Sequence, residues 1–237
     1  MDSIKVLDKG YVRLVDTMGS DLSVVNAARV SYDKESNSVD EKDQRLIAFL
    51  ARENHSAPFR HAIAQYEVYA PLFVARQWWK HIIGGTQNEM SGPNFPGLDP
   101  YLAWNESSRR YVTENEEFYV PDRWRGKPAN NKQGSDGFVA PEVNVALDEG
   151  LQEHIKESML WYKAAMADGV APEMARLFLP ANALYVRWRW TSSLQGVMHF
   201  ITLRDEAHAQ YEIQLYAQAV RDLTSQVFPV CIGGLDD

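Results

Sequence analysis

Arginine side chains placed beside hydroxyl and amide groups are the first sign of chemistry in this sequence. Residues 105–111, which read NESSRRY, put small hydrogen-bonding side chains next to two guanidinium groups. Arg176 and Arg204 each stand in an otherwise apolar helical stretch. A guanidinium on an apolar face needs an acidic partner or a bound anion, because burying an unpaired charge is costly. Planar guanidinium groups suit phosphate oxygens and heterocycle edges, but internal salt bridges with the 32 acidic residues explain the arginines equally well.

Metal and thiol chemistry have weaker support. His208 and Glu212 form an i, i+4 pair near a helix start, yet a metal cluster there would need ligands from another helix. We interpret these side chains as an acidic helix N-terminus and expect no metal. Cys231 has no neighbouring base or positive charge in the sequence, so nothing there would generate a thiolate nucleophile. The chain has neither a P-loop nor a GxGxxG motif.

These residues must be positioned by a fold in which helices dominate. Period-2 patterns predict strands, and apolar residues at helical spacing predict helices. A helix beginning at Pro71 is expected to run through Trp79, and residues 147–166 form an amphipathic helix. Strands are predicted in residues 4–15 and 62–70, and further helices are predicted from Asp21, which can cap its helix, from Pro172 and over residues 205–226. The seven tryptophans are interpreted as core residues. The fold class is therefore α+β.

Two irregular stretches interrupt this pattern. Glycine and proline recur through residues 84–100, which makes a long regular element there improbable. A loop of this length inside a domain is either functional or disordered. Residues 121–141 are polar, and we expect Arg123 and Arg125 within them to be solvated.

Composition excludes several classes of protein. The 237 residues include 24 basic and 32 acidic side chains, giving a net charge of −8, which argues against non-specific binding to a nucleic-acid backbone. One cysteine excludes a disulfide framework. No apolar run reaches the roughly 20 residues of a membrane span, and the first residues lack the pattern of a secretory signal. We expect a soluble, intracellular protein.

Several motifs resemble those of the flavin-dependent thymidylate synthases, and the likeness extends along nearly the whole chain. The matching stretches are residues 6–10, 27–31, 75–78 and 203–216. The family signature is Arg-His-Arg followed after seven residues by Ser, usually within Asn-Glu-x-Ser-x-Arg-Tyr. Residues 80–82, Lys-His-Ile, correspond to its first part.

Two stretches compete for the second part of the signature. Residues 88–91 have the nearer spacing but lack the Arg-Tyr ending, whereas residues 105–111 satisfy the whole run and are followed at the expected spacing by residues 117–121. Choosing the second stretch makes residues 83–103 an inserted loop beside the active site.

The resemblance implies a single domain over residues 1–237, with an antiparallel sheet flanked by long helices. It implies a homotetramer with active sites between subunits, bound FAD, and reductive methylation of dUMP to dTMP. Methylenetetrahydrofolate would supply the carbon and NADPH would reduce the flavin. The expected location is the cytoplasm, or the host cytoplasm for a viral protein.

The resemblance also assigns site residues by position. Arg204 matches the arginine that favours ionisation at N3 of the pyrimidine, and Ser108 matches the motif serine; these two are the expected catalytic residues. The nucleotide-binding positions are Gln77, Lys80, Glu106, Ser108, Arg110, Arg176 and Arg204. The flavin-binding positions are Ser31, His55, Lys80, His81, Glu106, Ser193 and His199.

Four departures from the family pattern lie on the flavin side. Lys80 and Ile82 replace arginines, Ser193 replaces an asparagine, and Gln195 stands where an arginine is common. Because the nucleotide side is mostly intact, two alternatives to dTMP synthesis stay open. One is a related enzyme that transfers a hydroxymethyl group to a pyrimidine nucleotide, and the other is a nucleotide-binding protein without catalysis.

Overall fold

The computed structural model describes residues 3–81, 103–129 and 134–235. Seven strands lie in these ranges: β1 (Ser3–Val6), β2 (Gly10–Met18), β3 (Ile63–Pro71), β4 (Ala103–Glu106), β5 (Arg125–Gly126), β6 (Asp136–Phe138) and β7 (Tyr185–Ser193). The helices there are α1 (Asp21–Arg29), α2 (Glu41–Arg52), α3 (Leu72–His81), α4 (Pro141–Ala167), α5 (Pro172–Ala175), α6 (Leu194–Arg204), α7 (Tyr211–Ser225) and α8 (Pro229–Gly233). Short 3₁₀ turns cover Val30–Tyr32, Ala57–His61 and Arg176–Phe178.

Five strands form one antiparallel sheet in the order β1-β2-β3-β7-β4. Its two central strands alternate, so that Tyr66, Val68, Trp188 and Trp190 are buried while the residues between them reach the opposite, partly exposed face. Alternation of this kind sends successive side chains to opposite faces of a sheet. The predicted α+β class with an antiparallel sheet is therefore confirmed.

The main core lies between the buried face of this sheet and the helices. Trp78 of α3 packs edge-on against Trp188 and Trp190 and is stacked on Phe200 of α6, with a centroid distance of 4.2 Å. Large aromatic side chains supply most of the apolar area buried in such a core. This packing fixes α3, which presents several of the predicted site residues, against the sheet.

A smaller apolar cluster lies beside the main core. Its members are Phe118, Tyr162, Ala175, Leu179 and Leu184. Tyr162 belongs to α4, most of whose other residues are exposed or half-buried. This second cluster positions the turn that includes Arg176.

Two contacts with the C-terminal helices position the N-terminal segment. A Cβ atom on Gly10 would lie 1.9 Å from the hydroxyl of Tyr216 and 2.7 Å from the carbonyl oxygen of Tyr69, so this position requires glycine. Asp21 does not cap α1, contrary to the prediction from its position at the start of that helix. Its carboxylate instead accepts the backbone N–H groups of Val230 and Cys231 at the start of α8.

The predicted inserted loop, residues 83–103, lies outside the described residues except for Ala103, which begins β4. The prediction of a single domain stays a prediction. Within residues 3–81, 103–129 and 134–235, no helix combines the length and the apolar character that a bilayer span requires.

Candidate active site

Helix α3 and strand β4 together form the walls of a first cavity of about 480 Å³. The lining residues are Leu72, Ala75, Arg76, Trp79, Lys80, Trp104 and Glu106. Five of them recur on one face of α3 because the spacing of three and four residues repeats around a helix. Two predicted nucleotide-binding residues, Lys80 and Glu106, are thus brought together from separate elements.

The lining of this first cavity combines aromatic and charged groups. The indoles of Trp79 and Trp104 meet edge to face at 5.3 Å, and Trp104 is stacked on Trp188 of the sheet at 4.8 Å. Desolvation raises the pKa of Glu106 above its ordinary value, although nearby Arg76 and the Trp104 indole N–H oppose this shift. Cations and flat aromatic walls in one cavity suit a planar ligand with an anionic group.

The two arginines in the segment after β4, Arg109 and Arg110, make different contacts. Ser107 continues the pairing with β7, because its N–H and hydroxyl bond the backbone of Arg187. Arg109 is used internally, donating to the carbonyl oxygens of residues 112 and 114 at 3.2 and 3.0 Å. Arg110 is exposed and lies over the ring of Tyr111. Arg110 is therefore the guanidinium of this motif that remains accessible to a ligand.

The motif serine, Ser108, is half-buried at the turn that follows. Its Oγ accepts the backbone N–H of Arg110 at 3.3 Å, and its carbonyl oxygen accepts the N–H groups of residues 111 and 112. The hydroxyl hydrogen of Ser108 is left to donate to a ligand. This geometry fits a hydrogen-bonding role for the serine.

A second cavity, of about 620 Å³, lies between α2, α6 and the segment that joins α2 to β3. Its polar lining comes from Arg52, Asn54, Ser56, Gln195, His199 and Thr202, and its apolar lining comes from Ala48, Leu50, Ala51, Phe59, Met198, Gly234 and Leu235. None of the described residues lines both cavities. The second cavity is thus rich in amide, hydroxyl and imidazole groups.

Gln195 and His199 define the polar wall of the second cavity. The Oε1 atom of Gln195 is buried without a hydrogen-bond partner among the described residues. Burial lowers the pKa of His199 below its ordinary value of 6.5, so the ring is neutral at neutral pH. An unpaired buried acceptor beside a neutral imidazole suits a ligand with N–H groups on its edge.

Two other predicted flavin positions, His55 and Ser193, are next in sequence or close to lining residues of the second cavity but are not part of its lining. His55 is exposed, but its neighbours Asn54 and Ser56 line the cavity, and its ring lies 5.8 Å from that of Phe49. Ser193 is fully buried, and its Oγ accepts the N–H of Gly196 as the N-cap of α6.

Ser31 and His81 are the remaining predicted flavin positions. Ser31 is exposed on a 3₁₀ turn and lines neither cavity. For His81 only the backbone, at the end of α3, is described. The flavin contacts of these residues stay predictions.

Arg204 ends α6 and lines neither cavity. Its Nε is buried and has no hydrogen-bond partner within the described part of the chain. Burial lowers the pKa of its guanidinium from the ordinary value, and nearby Glu206 opposes this shift. A guanidinium remains charged in proteins, so Arg204 is a half-buried cation with an unused donor.

Arg176 and Arg125 lie in different surroundings. Arg176 is exposed on the turn against α4 and donates from its Nε to the carbonyl oxygen of Glu173. The expectation of a solvated Arg125 is wrong. This guanidinium pairs with the buried carboxylate of Glu212 at 2.5 Å and lies 4.8 Å from the ring centre of Tyr211.

Thiol chemistry has no support in the structure. Cys231 is fully buried, and burial together with the adjacent Asp21 carboxylate raises the pKa of its thiol. A thiol in such surroundings is inert. Within the described residues, no group of three or more histidine, cysteine or acidic side chains is arranged to hold a metal ion.

Five lining residues of the first cavity are not among the site residues predicted from the sequence: Leu72, Ala75, Arg76, Trp79 and Trp104. The interpretation of the tryptophans as core residues is correct for Trp78, Trp188 and Trp190 but wrong for Trp79 and Trp161, which are 52% and 58% exposed. The i, i+3, i+4 spacing of Arg76, Trp79 and Lys80 is a signal that could have found this face.

Comparison with solved structures first defines the class of fold. The chain is similar to a UMP/dUMP methylase, PolB from Streptomyces cacaoi, solved with 5-Br UMP and with 5-Br dUMP. The TM-scores are 0.77 and 0.78 at 27% and 28% sequence identity, covering 98% of this chain and 96% and 97% of the methylase chains. The molecule therefore has the α+β fold of this class of nucleotide methylase.

Sequence comparisons then identify the family. The profile described as thymidylate synthase complementing protein matches residues 13–230. A flavin-dependent thymidylate synthase from Thermus thermophilus is 39% identical over 99% of this chain and 78% of its own length. One from Thermosipho africanus is 37% identical over 95% of this chain and 90% of its own length. The chain belongs to the flavin-dependent thymidylate synthase family.

Proposed function

We propose that this protein catalyses the reductive methylation of dUMP to dTMP, with methylenetetrahydrofolate as carbon donor, FAD as cofactor and NADPH as reductant. The observation that supports this proposal most strongly is the family match over residues 13–230. The similar fold of PolB, a UMP/dUMP methylase, supports the same substrate class.

The nucleotide side of the site is proposed to centre on the first cavity. Lys80 and the exposed Arg110 are the cations suited to the phosphate. Glu106, at the cavity, is the carboxylate suited to accept a hydrogen bond from the nucleotide. Ser108 donates a hydrogen bond to the nucleotide rather than attacking it, because its Oγ is held by the N–H of Arg110 and the hydroxyl hydrogen is the group left for a ligand.

Arg204 is proposed to act on the reacting ring. Its free Nε, in a half-buried position, is a fixed donor for the pyrimidine edge. A guanidinium there stabilises the ring anion that forms when N3 loses its proton, which makes C5 more nucleophilic. The donor is effective because little water competes for it.

The second cavity is proposed to hold part of FAD. The unpaired Oε1 of Gln195, the neutral ring of His199 and the apolar wall around Met198 fit a flat heterocycle with polar edges. FAD supplies the redox chemistry of the reaction when it is bound. The chain's own contribution is to bind and orient it, with His55 and Ser31 as further predicted contacts.

We further propose a homotetramer whose active sites lie between subunits. Arg176 lies at neither cavity of its own chain, although its family position binds the nucleotide. Around it, Leu160, Trp161 and Leu177 are 64%, 58% and 75% exposed, and Trp161 is stacked on Phe178. Contiguous exposed apolar side chains of this kind mark an interaction surface. A second copy bound on this surface would place Arg176 of one chain at the nucleotide site of the other chain.

The remaining proposals concern organisation and location. We propose a single domain, because Leu184 of the second cluster directly precedes β7, a central strand of the main sheet. We propose a cytoplasmic location, because the single cysteine is free and buried, as suits a reducing compartment.

Product mass tests the activity directly. Purified protein is incubated with dUMP, methylenetetrahydrofolate, NADPH and FAD, and the nucleotide products are separated by mass. We expect dTMP. A product with an extra oxygen atom would show hydroxymethyl transfer instead, and bound dUMP without any product would support a non-catalytic homologue. UMP in place of dUMP tests whether the ribonucleotide is also used.

Complementation between variants tests the shared site. Lys80→Met and Arg176→Ala are each expected to lower activity at limiting dUMP. When both chains are co-expressed and assemble together, some sites receive intact Lys80 from one chain and intact Arg176 from another, and activity returns. Co-assembly without recovered activity would contradict a site shared between subunits.

A further inference from the structure

Gln77 of α3 is joined to a buried ion pair by a series of hydrogen bonds. It donates an amide N–H to the side-chain carbonyl oxygen of Gln210, which precedes α7. Gln210 donates in turn to Oε2 of Glu212 at 2.9 Å. Glu212 is 3% exposed, and its Oε1 accepts from Arg125 at 2.5 Å and from the hydroxyl of Tyr119 at 3.2 Å. We call Gln77, Gln210, Glu212 and Arg125 the glutamine relay.

The relay has a direction that is set by charge. Either end of an amide group fits the same space, so partners decide which end is the donor. The carboxylate of Glu212, paired with a guanidinium, can only accept. Gln210 must therefore turn its NH₂ group to Glu212 and its oxygen to Gln77. Gln77 must then turn its NH₂ group to Gln210, which leaves its own carbonyl oxygen as the end available to a ligand.

The ion pair at the far end of the relay is well anchored. The guanidinium of Arg125 also donates from Nε to the hydroxyl of Ser135 at 2.9 Å and lies against the ring of Tyr211. Glu212 is held by Arg125 from β5 and by Tyr119. A carboxylate fixed by partners outside its own helix gives the relay a rigid end.

We propose that Gln210, Glu212 and Arg125 are positioning residues that hold the Gln77 amide with its carbonyl oxygen presented as an acceptor to the bound pyrimidine nucleotide. The inference rests on the proposed function and on the family position of Gln77, which binds the nucleotide; Gln77 itself is not part of either cavity lining. The nucleotide offers a donor of the required kind in the 3′-hydroxyl group of its sugar. An amide that is already oriented loses less conformational freedom when the ligand binds.

A charge exchange within the relay tests this directly. In Gln210→Glu, two carboxylates face each other and the relay is broken. In the double variant Gln210→Glu with Glu212→Gln, the new carboxylate still accepts from Gln77, and the new amide donates to it while accepting from Arg125. The double variant therefore restores the Gln77 orientation with the two functional groups exchanged. Gln218→Glu, on an exposed part of α7, is the matched control.

The readouts are the dUMP dissociation constant by calorimetry, the KM and kcat for dUMP, and the melting temperature of the FAD-loaded protein. We expect Gln210→Glu to weaken dUMP binding and to raise KM by roughly tenfold, with kcat at saturating dUMP close to wild type. The double variant is expected to return to within about threefold of wild type, and Gln218→Glu to match wild type. Arg125→Met is expected to give a smaller rise in KM.

The outcomes separate this inference from the proposed function. Wild-type protein that does not bind dUMP would overturn both. If wild-type protein binds dUMP and a folded Gln210→Glu variant has the same KM for dUMP as wild type, the relay alone is overturned. The relay is also overturned if the double variant is folded, with a melting temperature like that of wild type, yet binds dUMP as weakly as Gln210→Glu. If Gln210→Glu does not fold, the double variant and Arg125→Met decide the question by the same KM comparison.

Discussion

The two cavities of this protein are built from different chemistry. The first, between α3 and β4, combines the cations Arg76 and Lys80 with a carboxylate and two indoles. The second, beside α2 and α6, is lined mainly by neutral polar and apolar groups, including Gln195 and His199. The cations of the first suit a phosphate group, whereas the lining of the second, which is mostly neutral apart from Arg52, suits the flat ring of a heterocycle. The difference supports separate nucleotide and flavin sites.

The departures from the family pattern that the resemblance implies lie at both cavities. Gln195, where the resemblance implies a common arginine, lines the second cavity, and Ser193, which stands in place of an asparagine, is the N-cap of α6. Lys80 lines the first cavity, where it keeps a positive charge but lacks the planar fork of arginine. Position 82 lies outside the described residues.

The largest expected effect comes from Arg204→Ala, which tests the catalytic role proposed for a residue outside both cavity linings. Removal of one fixed charge-stabilising donor is expected to lower kcat by about 10²–10³. Bound FAD should be retained, because Arg204 lines neither cavity. Steady-state kinetics and flavin absorbance measure the two quantities. Turnover near the wild-type value would remove Arg204 from its catalytic role.

Lys80→Met is expected to affect the nucleotide more than the flavin. Loss of a charge-assisted hydrogen bond to phosphate should weaken dUMP binding by roughly tenfold, at the low end for such bonds because Lys80 is exposed. Calorimetry with dUMP and with FAD measures both affinities. A larger loss of FAD affinity than of dUMP affinity would reverse the assignment of the first cavity.

Gln195→Met is the matched change in the second cavity. Methionine preserves length but has no amide, so a neutral hydrogen bond to the flavin would be lost. FAD binding is expected to weaken by about three- to tenfold, with dUMP binding unchanged in the FAD-loaded protein. Gln195→Met should thus weaken FAD binding more than dUMP binding, whereas Lys80→Met should weaken dUMP binding more than FAD binding. If both variants weaken the two ligands in the same proportion, separate sites are contradicted.

His199 predicts a pH dependence of stability. Its pKa is lowered by burial from 6.5, so in the window below 6.5 the unfolded chain binds a proton that the folded chain does not. The free energy of unfolding therefore falls as the pH drops from above 6.5 through the folded pKa. His199→Asn removes this contribution, and urea unfolding over a pH series should show a smaller acid loss. An identical pH profile in both proteins would show that His199 does not titrate differently on folding.

The smallest effect is expected for Cys231→Ser. The cysteine is buried in α8 beside Asp21, away from the lining of both cavities. Turnover per bound FAD should equal that of wild type, apart from any loss of folded protein. A folded, FAD-bound but inactive variant would mean that the reaction proceeds through the thiol.

Elements with strong periodicity could be predicted from the sequence. Strand β3 and helix α3 lie within a residue or two of their predicted positions, because alternation and helical spacing are local properties. The α+β class followed from the pattern of helices and strands, whereas the antiparallel sheet and the joint assignment of Lys80 and Glu106 to one site followed from the resemblance to the family. Arg109 and Arg110 are adjacent and identical, so the sequence could not distinguish them. Arg109 donates to backbone carbonyl groups that the fold brings within its reach, whereas Arg110 lies over the ring of Tyr111 and is accessible to a ligand.

Long-range partners account for most of the remaining differences. Arg125 stands in a polar, irregular stretch that predicts a solvated side chain, but it meets Glu212, 87 residues away in sequence. The position of Asp21 predicts a cap for α1, yet its carboxylate bonds the start of α8, 210 residues away. Such contacts depend on how whole elements pack, which no local pattern encodes.

The position of the nucleotide tests the separation of the two sites most directly. A crystal structure of the FAD-loaded protein with 5-bromo-dUMP would locate the pyrimidine from the anomalous scattering of bromine. We predict the nucleotide at the first cavity, with its phosphate near Lys80 and its density absent from the cavity lined by Gln195 and His199. Nucleotide density in that second cavity, or flavin density in the first alone, would contradict this assignment.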